Sequence, residues 1–148
     1  MNWGFLSKIF EGVIGIEKTY NQCDKAIGRL QDYNKKIAAM RENNQDASHF
    51  PADKKAELDE IVDRAVDSAK RLLSKESERN WTGVFREMHK NLATIYFELQ
   101  EYDKAREECE HLEKYGEVGR IDAEEVLQQI NEQTGTPSEE AVEAAAAV

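Results

Sequence analysis

Asn91–Ala105 reads NLATIYFELQEYDKA, and this stretch decides the fold. From Leu92 to Leu99 its apolar residues recur at steps of three and four, which is typical of one buried face of an α-helix. Gln100 interrupts the pattern, and a second apolar stripe starts at Tyr102. Because the interruption is so short, we expect two antiparallel helices packed side by side as a hairpin.

The sequence on either side extends both helices of this hairpin. The third helix of the chain is predicted to bury Trp81, Phe85, Met88, Leu92, Ile95 and Leu99. The fourth helix is predicted to bury Tyr102, Ala105, Cys109 and Leu112. Gly116 is placed to end the fourth helix in the left-handed conformation that glycine adopts at little cost.

The spacing within the hairpin matches a 34-residue helix-turn-helix pattern. Leu92, Ala93 and Tyr96 fall on its L-G-x2-Y block. Tyr102 falls on the aromatic residue after the turn, and Ala105 falls on the small residue of the second helix. Residues 86–119 therefore resemble a tetratricopeptide repeat, in which small residues let two helices approach while larger ones fill the space around the crossing.

The resemblance covers one repeat and is incomplete within it. The pattern has Trp, Gly, a large residue and Pro at positions occupied by His89, Gln100, Cys109 and Glu117. Residues 52–85 do not form a matching repeat, because Arg71 and Lys75 stand in place of the small and the large residue. Since stacked repeats need about three units, we expect neighbouring helices to complete the core. The predicted fold class is all-α, a right-handed array of about five helices that is degenerate and TPR-like, with a long N-terminal helix.

The N-terminal region carries a heptad-like apolar seam from Leu6 to Ile37. Gly12 and Gly15 lie inside it, so we expect a break there, with a short amphipathic helix over residues 1–15 and a long helix over residues 16–42. The polar segment 43–52 is predicted to be a loop. A second helix follows and is expected to be central to the bundle, because it has a broad apolar face: Leu58, Ile61, Val62, Ala65, Val66, Ala69, Leu72 and Leu73.

A fifth helix is predicted to start at Asp122, which would cap it. Glu125 would complete a capping box, and Ile121 with Val126 would form a hydrophobic staple. This helix should end near Gln133. We therefore predict one domain over residues 1–133 and a weakly ordered, helix-prone tail over residues 134–148.

Composition and charge bound the function. The formal net charge is −10, which argues against nonspecific binding to nucleic acid. The charge is uneven: residues 18–41 hold six basic and two acidic side chains, whereas residues 98–125 hold eleven acidic and four basic ones. These segments are interpreted either as solvated helix faces or as an acidic surface for a basic partner. No apolar run approaches the length of a membrane-spanning helix, and a cytoplasmic protein is expected.

The sequence offers little for catalysis or for a cofactor. Cys23 and Cys109 lie on apolar stripes, where a free cysteine is usually a small core residue. The three histidines show no spacing typical of metal ligands, and there is no glycine-rich phosphate loop. We therefore predict no enzyme activity, no catalytic residue, no metal site and no cofactor.

The TPR resemblance implies a partner surface on the outward face of the third helix. The candidate residues are Glu87, Lys90, Asn91, Thr94 and Phe97, with Glu98 beside them. Lys90 and Asn91 resemble by position the Lys and Asn with which such repeats grip a partner's carboxylate. The alternative is a solvated face with Phe97 tucked against a neighbouring helix.

A second candidate interface is the apolar N-terminal stretch, which contains Trp3, Phe5, Leu6, Ile9, Phe10 and Val13. Three interpretations remain open for it: docking on its own bundle, an interface with a partner or another copy of the chain, and insertion into a membrane surface. The leading prediction for the whole chain is an adaptor or regulatory subunit that binds a protein or peptide. The alternative is a peripheral membrane or oligomeric assembly component held by the N-terminal helix.

Overall fold

The computed structural model describes residues 3–135, except for the side chains of residues 3–11, 13 and 14. The predicted all-α class is confirmed for these residues, which contain no strand. Five α-helices follow one another: α1 (Trp3–Glu42), α2 (Ala52–Leu73), α3 (Thr82–Glu98), α4 (Tyr102–Glu113) and α5 (Gly116–Thr134). A short 3-10 helix, Ala47–His49, lies in the predicted loop between α1 and α2.

The predicted break near Gly12 and Gly15 is wrong, because α1 is helical without interruption over 40 residues. Each glycine disfavours a helix by only about 1 kcal/mol relative to alanine. The seam that α1 presents to its neighbours, which includes the buried Cys23, Ala26 and Leu30, outweighs that cost.

The α3–α4 hairpin contains much of the core. Phe85, Met88, Leu92 and Ile95 of α3 are buried, as are Ala105, Cys109 and Leu112 of α4, so both predicted stripes are confirmed at these positions. Trp81, Leu99 and Tyr102, at the ends of the two helices, are only half-buried. Ala93 and Ala105 have no exposed surface, as close packing of two helices requires.

Gln100 closes α3 in the left-handed conformation, with φ of +62°. Its N–H donates to the carbonyl of Phe97, and the N–H of Glu101 donates to the carbonyl of Tyr96. This pair of bonds is the Schellman arrangement that commonly ends helices, with glutamine where glycine is usual. The sequence pattern had marked the same position as one where the repeat often carries glycine.

Gln100→Gly is expected to stabilise the chain by about 0.5 kcal/mol, because glycine adopts positive φ without the strain that a side chain imposes. The free energy of unfolding in urea measures the effect. The matched control is Glu107→Gly, at an exposed position inside α4. That variant should lose about 0.5 to 1 kcal/mol, and equal changes in both variants would contradict the prediction.

α5 begins six residues earlier than predicted, at Gly116. Gly116 has the predicted left-handed φ, at +74°, but it starts α5 rather than ending α4, which ends at Glu113. Asp122 therefore lies inside the helix, and the predicted capping box and staple are wrong. Ile121 is 49% exposed, whereas Val126 is buried. α5 ends at Thr134, close to the predicted end. From residue 136 onward, the predicted tail lies outside the described residues.

α3 is the central helix of the array, since it packs against α1, α2, α4 and α5. This corrects the prediction that the second helix is central. α2 does bury Leu58, Val62, Ala65, Ala69 and Leu72. However, it packs mainly on α1 and α3, because its broad face fits the angle between those two helices.

α1, α3 and α5 run parallel to one another, as the order of the residues that lie near one another shows. Near its start α3 carries Arg86 and Glu87, whose charges act on Tyr20 of α1. Near its end, the Asn34 amide donates to the backbone carbonyl of Glu98 at 2.9 Å. Residues farther along α1 therefore lie next to residues farther along α3, so the two helices run in the same direction.

The pairing of α3 with α5 advances in the same way, because Arg86 contacts Asp122 and Lys90 contacts both Asp122 and Glu125. The array is therefore a row of three parallel helices, with α2 and α4 packed against the row.

Candidate functional site

The predicted partner face of α3 is found on the side of the helix between α1 and α5. All five candidate residues are half-buried rather than freely exposed: Glu87, Lys90, Asn91, Thr94 and Phe97. They occupy the helix face opposite the core stripe, as the periodicity predicts. Contacts from α1 and α5 leave less of that face exposed to solvent.

Lys90 already has carboxylate partners within the chain. Its ammonium nitrogen lies 3.0 Å from Asp122 Oδ1 and 3.5 Å from Glu125 Oε2. Arg86 donates to the other carboxylate oxygen of Asp122 at 2.8 Å. The hydrogen bond with Asp122 is the main reason that the pKa of Lys90 is raised. A ligand carboxylate would have to compete with these groups for Lys90.

Asp122 explains why this pairing forms. Asp122 is only 6% exposed, and a buried carboxylate requires cationic partners. Arg86 and Lys90 lie one helical turn apart on α3 and both reach it. The sequence gives no sign of this cluster, because its cations and its carboxylates are more than 30 positions apart and Asp122 resembles a helix cap.

The remaining candidates offer different contacts. The Thr94 hydroxyl donates to the Lys90 backbone carbonyl at 2.9 Å, and the residue is half-buried. Phe97 packs against the core, with its ring centroid 6.1 Å from that of Tyr102. This position agrees with the alternative that Phe97 is tucked against the neighbouring helix. The face therefore combines a half-buried aromatic edge with polar groups.

A second polar cluster, which the sequence analysis did not find, surrounds His89. This residue is 4% exposed and stands where the repeat pattern has tryptophan. Its Nδ1 lies 2.6 Å from Glu108 Oε2, and its Nε2 lies 2.7 Å from Glu76 Oε2. The Tyr115 hydroxyl also donates to Glu76 Oε2. The ring of His111 stacks on that of His89, with centroids 4.7 Å apart.

The geometry of this cluster requires a cationic imidazole. A neutral histidine donates from only one ring nitrogen, whereas two ionised carboxylates can only accept. Burial alone would lower the pKa of His89, but the hydrogen bonds and charges of Glu108 and Glu76 outweigh burial and raise it. Burial would raise the pKa of Glu76, but the bonds from Tyr115 and His89 lower it.

The His89 cluster connects the chain between α2 and α3, which contains Glu76, to α4 and to the start of α5. In the described part of the chain, no group of three or more His, Cys, Asp and Glu side chains is arranged to hold a metal ion. A protonated His89 can hold α3, α4 and the segment between α2 and α3 together. Only the substitution of His for Trp at position 89 hinted at it in the sequence.

The two cysteines are buried among apolar residues, as the stripes predict. Burial raises the pKa of the Cys23 thiol to about 11 and that of the Cys109 thiol to about 12. Both thiols therefore remain protonated near neutral pH, and the thiol is a poor nucleophile compared with the thiolate.

A shallow groove lies beside α2, next to the α3–α4 turn. Its floor is formed by Val62, Val66, Tyr96 and Leu99, and its rim by Asp63, Asp67, Lys70, Glu101 and Lys104. Lys104 pairs with Glu101 at 3.2 Å and lies over the Tyr96 ring. Because the rim mixes both charges, it does not select one sign of ligand.

The N-terminal candidates Trp3, Phe5, Leu6, Ile9, Phe10 and Val13 have side chains outside the described part of the structure. The backbone of α1 does include these positions. Among the described helices, none combines the length and hydropathy needed to cross a lipid bilayer.

Comparisons of the chain with protein-family models, with curated proteins and with solved structures find no match.

Proposed function

We propose that the chain is a non-enzymatic adaptor or regulatory subunit that binds a protein or peptide on the face of α3 between α1 and α5. The observation that carries the proposal is the row of three parallel helices, in which the half-buried α3 residues lie between two flanking helices. Such a face offers a ligand contacts on both sides of one helix.

The order of contacts supports a degenerate TPR-like arrangement. α1 with α2 and α3 with α4 form successive pairs, and α5 packs on the second pair. The first helices of the pairs lie next to each other, as do the first helices of stacked repeats, and in this proposal α5 serves as a capping helix. In that arrangement ligands commonly lie along the first helices.

The charges of the face favour a partner whose contacts are not purely ionic. Arg86 and Lys90 are already offset by Asp122 and Glu125, and Glu87 adds a further carboxylate. Lys90 is therefore a support for the α3–α5 contact as much as a binding group. We propose that Asn91, Thr94 and the edge of Phe97 contact the partner, with polar groups fixing its orientation and the aromatic edge covering apolar surface.

The same charges make Lys90→Ala a poor test, because it would also remove a partner of the buried Asp122. Thr94→Arg instead places a long side chain across the face without emptying the core. Partners captured by the full-length chain would be identified by mass spectrometry, and the segment that binds would be synthesised as a peptide. Its affinity for Thr94→Arg should fall by about tenfold or more.

Thr82→Arg is the matched control, since Thr82 is exposed at the first residue of α3, twelve positions away. It makes the same substitution and should leave the affinity of the peptide unchanged. Circular dichroism and thermal melting would verify that both variants fold. A peptide that binds Thr94→Arg as tightly as the wild type would exclude this face as its site.

A further inference from the structure

α1 carries a stripe of four cations on one exposed face. Lys18, Lys25, Arg29 and Lys36 are separated by seven, four and seven residues, so at 100° per residue they lie within about 40° of one another over about 27 Å. All four side chains are exposed, and none takes part in the ion pairs found among residues 3–135. Among the residues whose side chains are described, Asp32 is the one carboxylate beside the stripe.

This basic stripe faces away from α3. Asn34, whose amide donates to the Glu98 carbonyl of α3, and Tyr20, which lies near the charges of Arg86 and Glu87, are about 160° around α1 from the stripe. The net negative charge is concentrated in α4 and α5, because α2 nearly balances its six carboxylates with five cations, and α5 is separated from α1 by α3. The molecule is therefore basic at the α1 end and acidic at the other, despite its net charge of −10.

The register of the helices places the start of α1 beyond the bundle. Lys55 of α2 lies over the Tyr33 ring, and α2 ends 18 residues later, beside residues 15–16 of an antiparallel α1. α3 starts four residues before Arg86, which brings its start to the same level. Residues 3–14 thus extend about 18 Å past both helices, and their sequence is mostly apolar, with Lys8 and Glu11 as its charged residues.

We propose that α1 docks the protein on an anionic phospholipid surface. The four unpaired cations of the basic stripe complement lipid phosphates and carboxylates, and each basic residue near such a surface strengthens the attraction to it. The apolar start of the same helix enters the headgroup boundary, which is how interfacial helices combine charge with buried apolar area. The acidic α4–α5 end lies farther from the surface than a Debye length of about 8 Å, so salt screens its repulsion.

The experiment is co-sedimentation of the full chain with vesicles of neutral phosphatidylcholine and with vesicles containing about one third phosphatidylserine. Wild type should partition at least about tenfold more strongly onto the anionic vesicles, and the preference should shrink as salt rises. Lys25→Glu with Arg29→Glu should lower anionic binding by about tenfold or more. In a Trp81→Phe background, fluorescence of the remaining Trp3 should shift to shorter wavelength only with anionic vesicles.

The matched control reverses two exposed cations elsewhere, Lys54→Glu with Lys70→Glu on α2, which changes the net charge by the same amount. It should keep at least about half of the binding to anionic vesicles. Equal loss in both double variants would reduce the effect to net charge and overturn the proposal. So would equal binding to neutral vesicles. Failure to bind vesicles, together with concentration-dependent sedimentation of the free protein, would assign α1 to a second copy of the chain instead.

Discussion

Gly119→Ala is expected to lower the free energy of unfolding by about 3 kcal/mol, the upper part of the range for overpacked positions. Gly119 is buried where α5 crosses the end of α4. A β-carbon there would overlap the Leu112 carbonyl oxygen and would lie only 3.0 Å from Tyr115 Cβ. The carbonyl cannot move freely, because it accepts the N–H of Tyr115 at the α4–α5 junction.

Gly28→Ala is the matched control for this prediction. Gly28 is also inside a helix but is exposed, and a β-carbon there meets no atom within 4 Å. The same substitution should therefore stabilise the chain by about 0.5 to 1 kcal/mol. Urea unfolding of the two variants should give changes of opposite sign. A Gly119→Ala variant as stable as the wild type would mean that α4 and α5 do not approach each other as closely as described.

The helices of the hairpin could be predicted because the spacing of nearby apolar residues indicates which positions are buried. Leu92 and Leu112 lie on stripes that repeat every three or four residues, and no distant residue is needed to recognise them. The helix boundaries that were predicted wrongly depend on a balance between local sequence preferences and contacts with distant residues. Asp122 has the form of a helix cap, but the half-buried cations Arg86 and Lys90 of α3 make a better partner for it than a free helix end does. The glycines of α1 weaken the helix locally, yet its packing on α2 and α3 maintains it.

The candidate site likewise has features that the sequence predicts and features that it does not. The face that holds Asn91 and Thr94 follows from the core stripe of one helix, so its position could be predicted. The state of Lys90 could not be, because its partners come from α5. The His89 cluster draws on Glu76, Glu108 and Tyr115 from three other parts of the chain. Sequence spacing carries no signal for such a set unless the fold that brings it together is already known.

The stability of the chain is expected to fall as pH rises above about 6.5, the ordinary pKa of histidine. The pKa of His89 is raised in the folded protein, so folding favours the protonated imidazole. Its contribution is fully present below the unfolded pKa and is lost as pH rises through the folded pKa. Deprotonation leaves one carboxylate, Glu76 or Glu108, without a donor from the ring. Urea unfolding at pH values from about 6 to 9 measures this loss.

His89→Gln at pH 6 should cost about 3 kcal/mol, because two partly buried carboxylates lose the cation between them. It should also flatten the fall in stability above pH 6.5. Groups that face His89 from every packed element contribute to the profile: Glu76 before α3, Glu108 and His111 on α4, and Tyr115 before α5. His49→Gln is the control, since His49 is exposed in the 3-10 helix and far from this cluster.

The control should keep the wild-type profile, because removing an exposed imidazole changes neither buried carboxylate. His111→Gln separates stacking from proton binding: it removes the ring that lies on His89 but leaves both hydrogen bonds of His89 in place. That variant should lose little stability and retain the downward slope. If instead the slope followed His111, or persisted in His89→Gln, the imidazolium of His89 would not be the group that joins Glu76 to Glu108. The connection between α2 and α3 would then be held by the hydrogen bond from Tyr115 to Glu76.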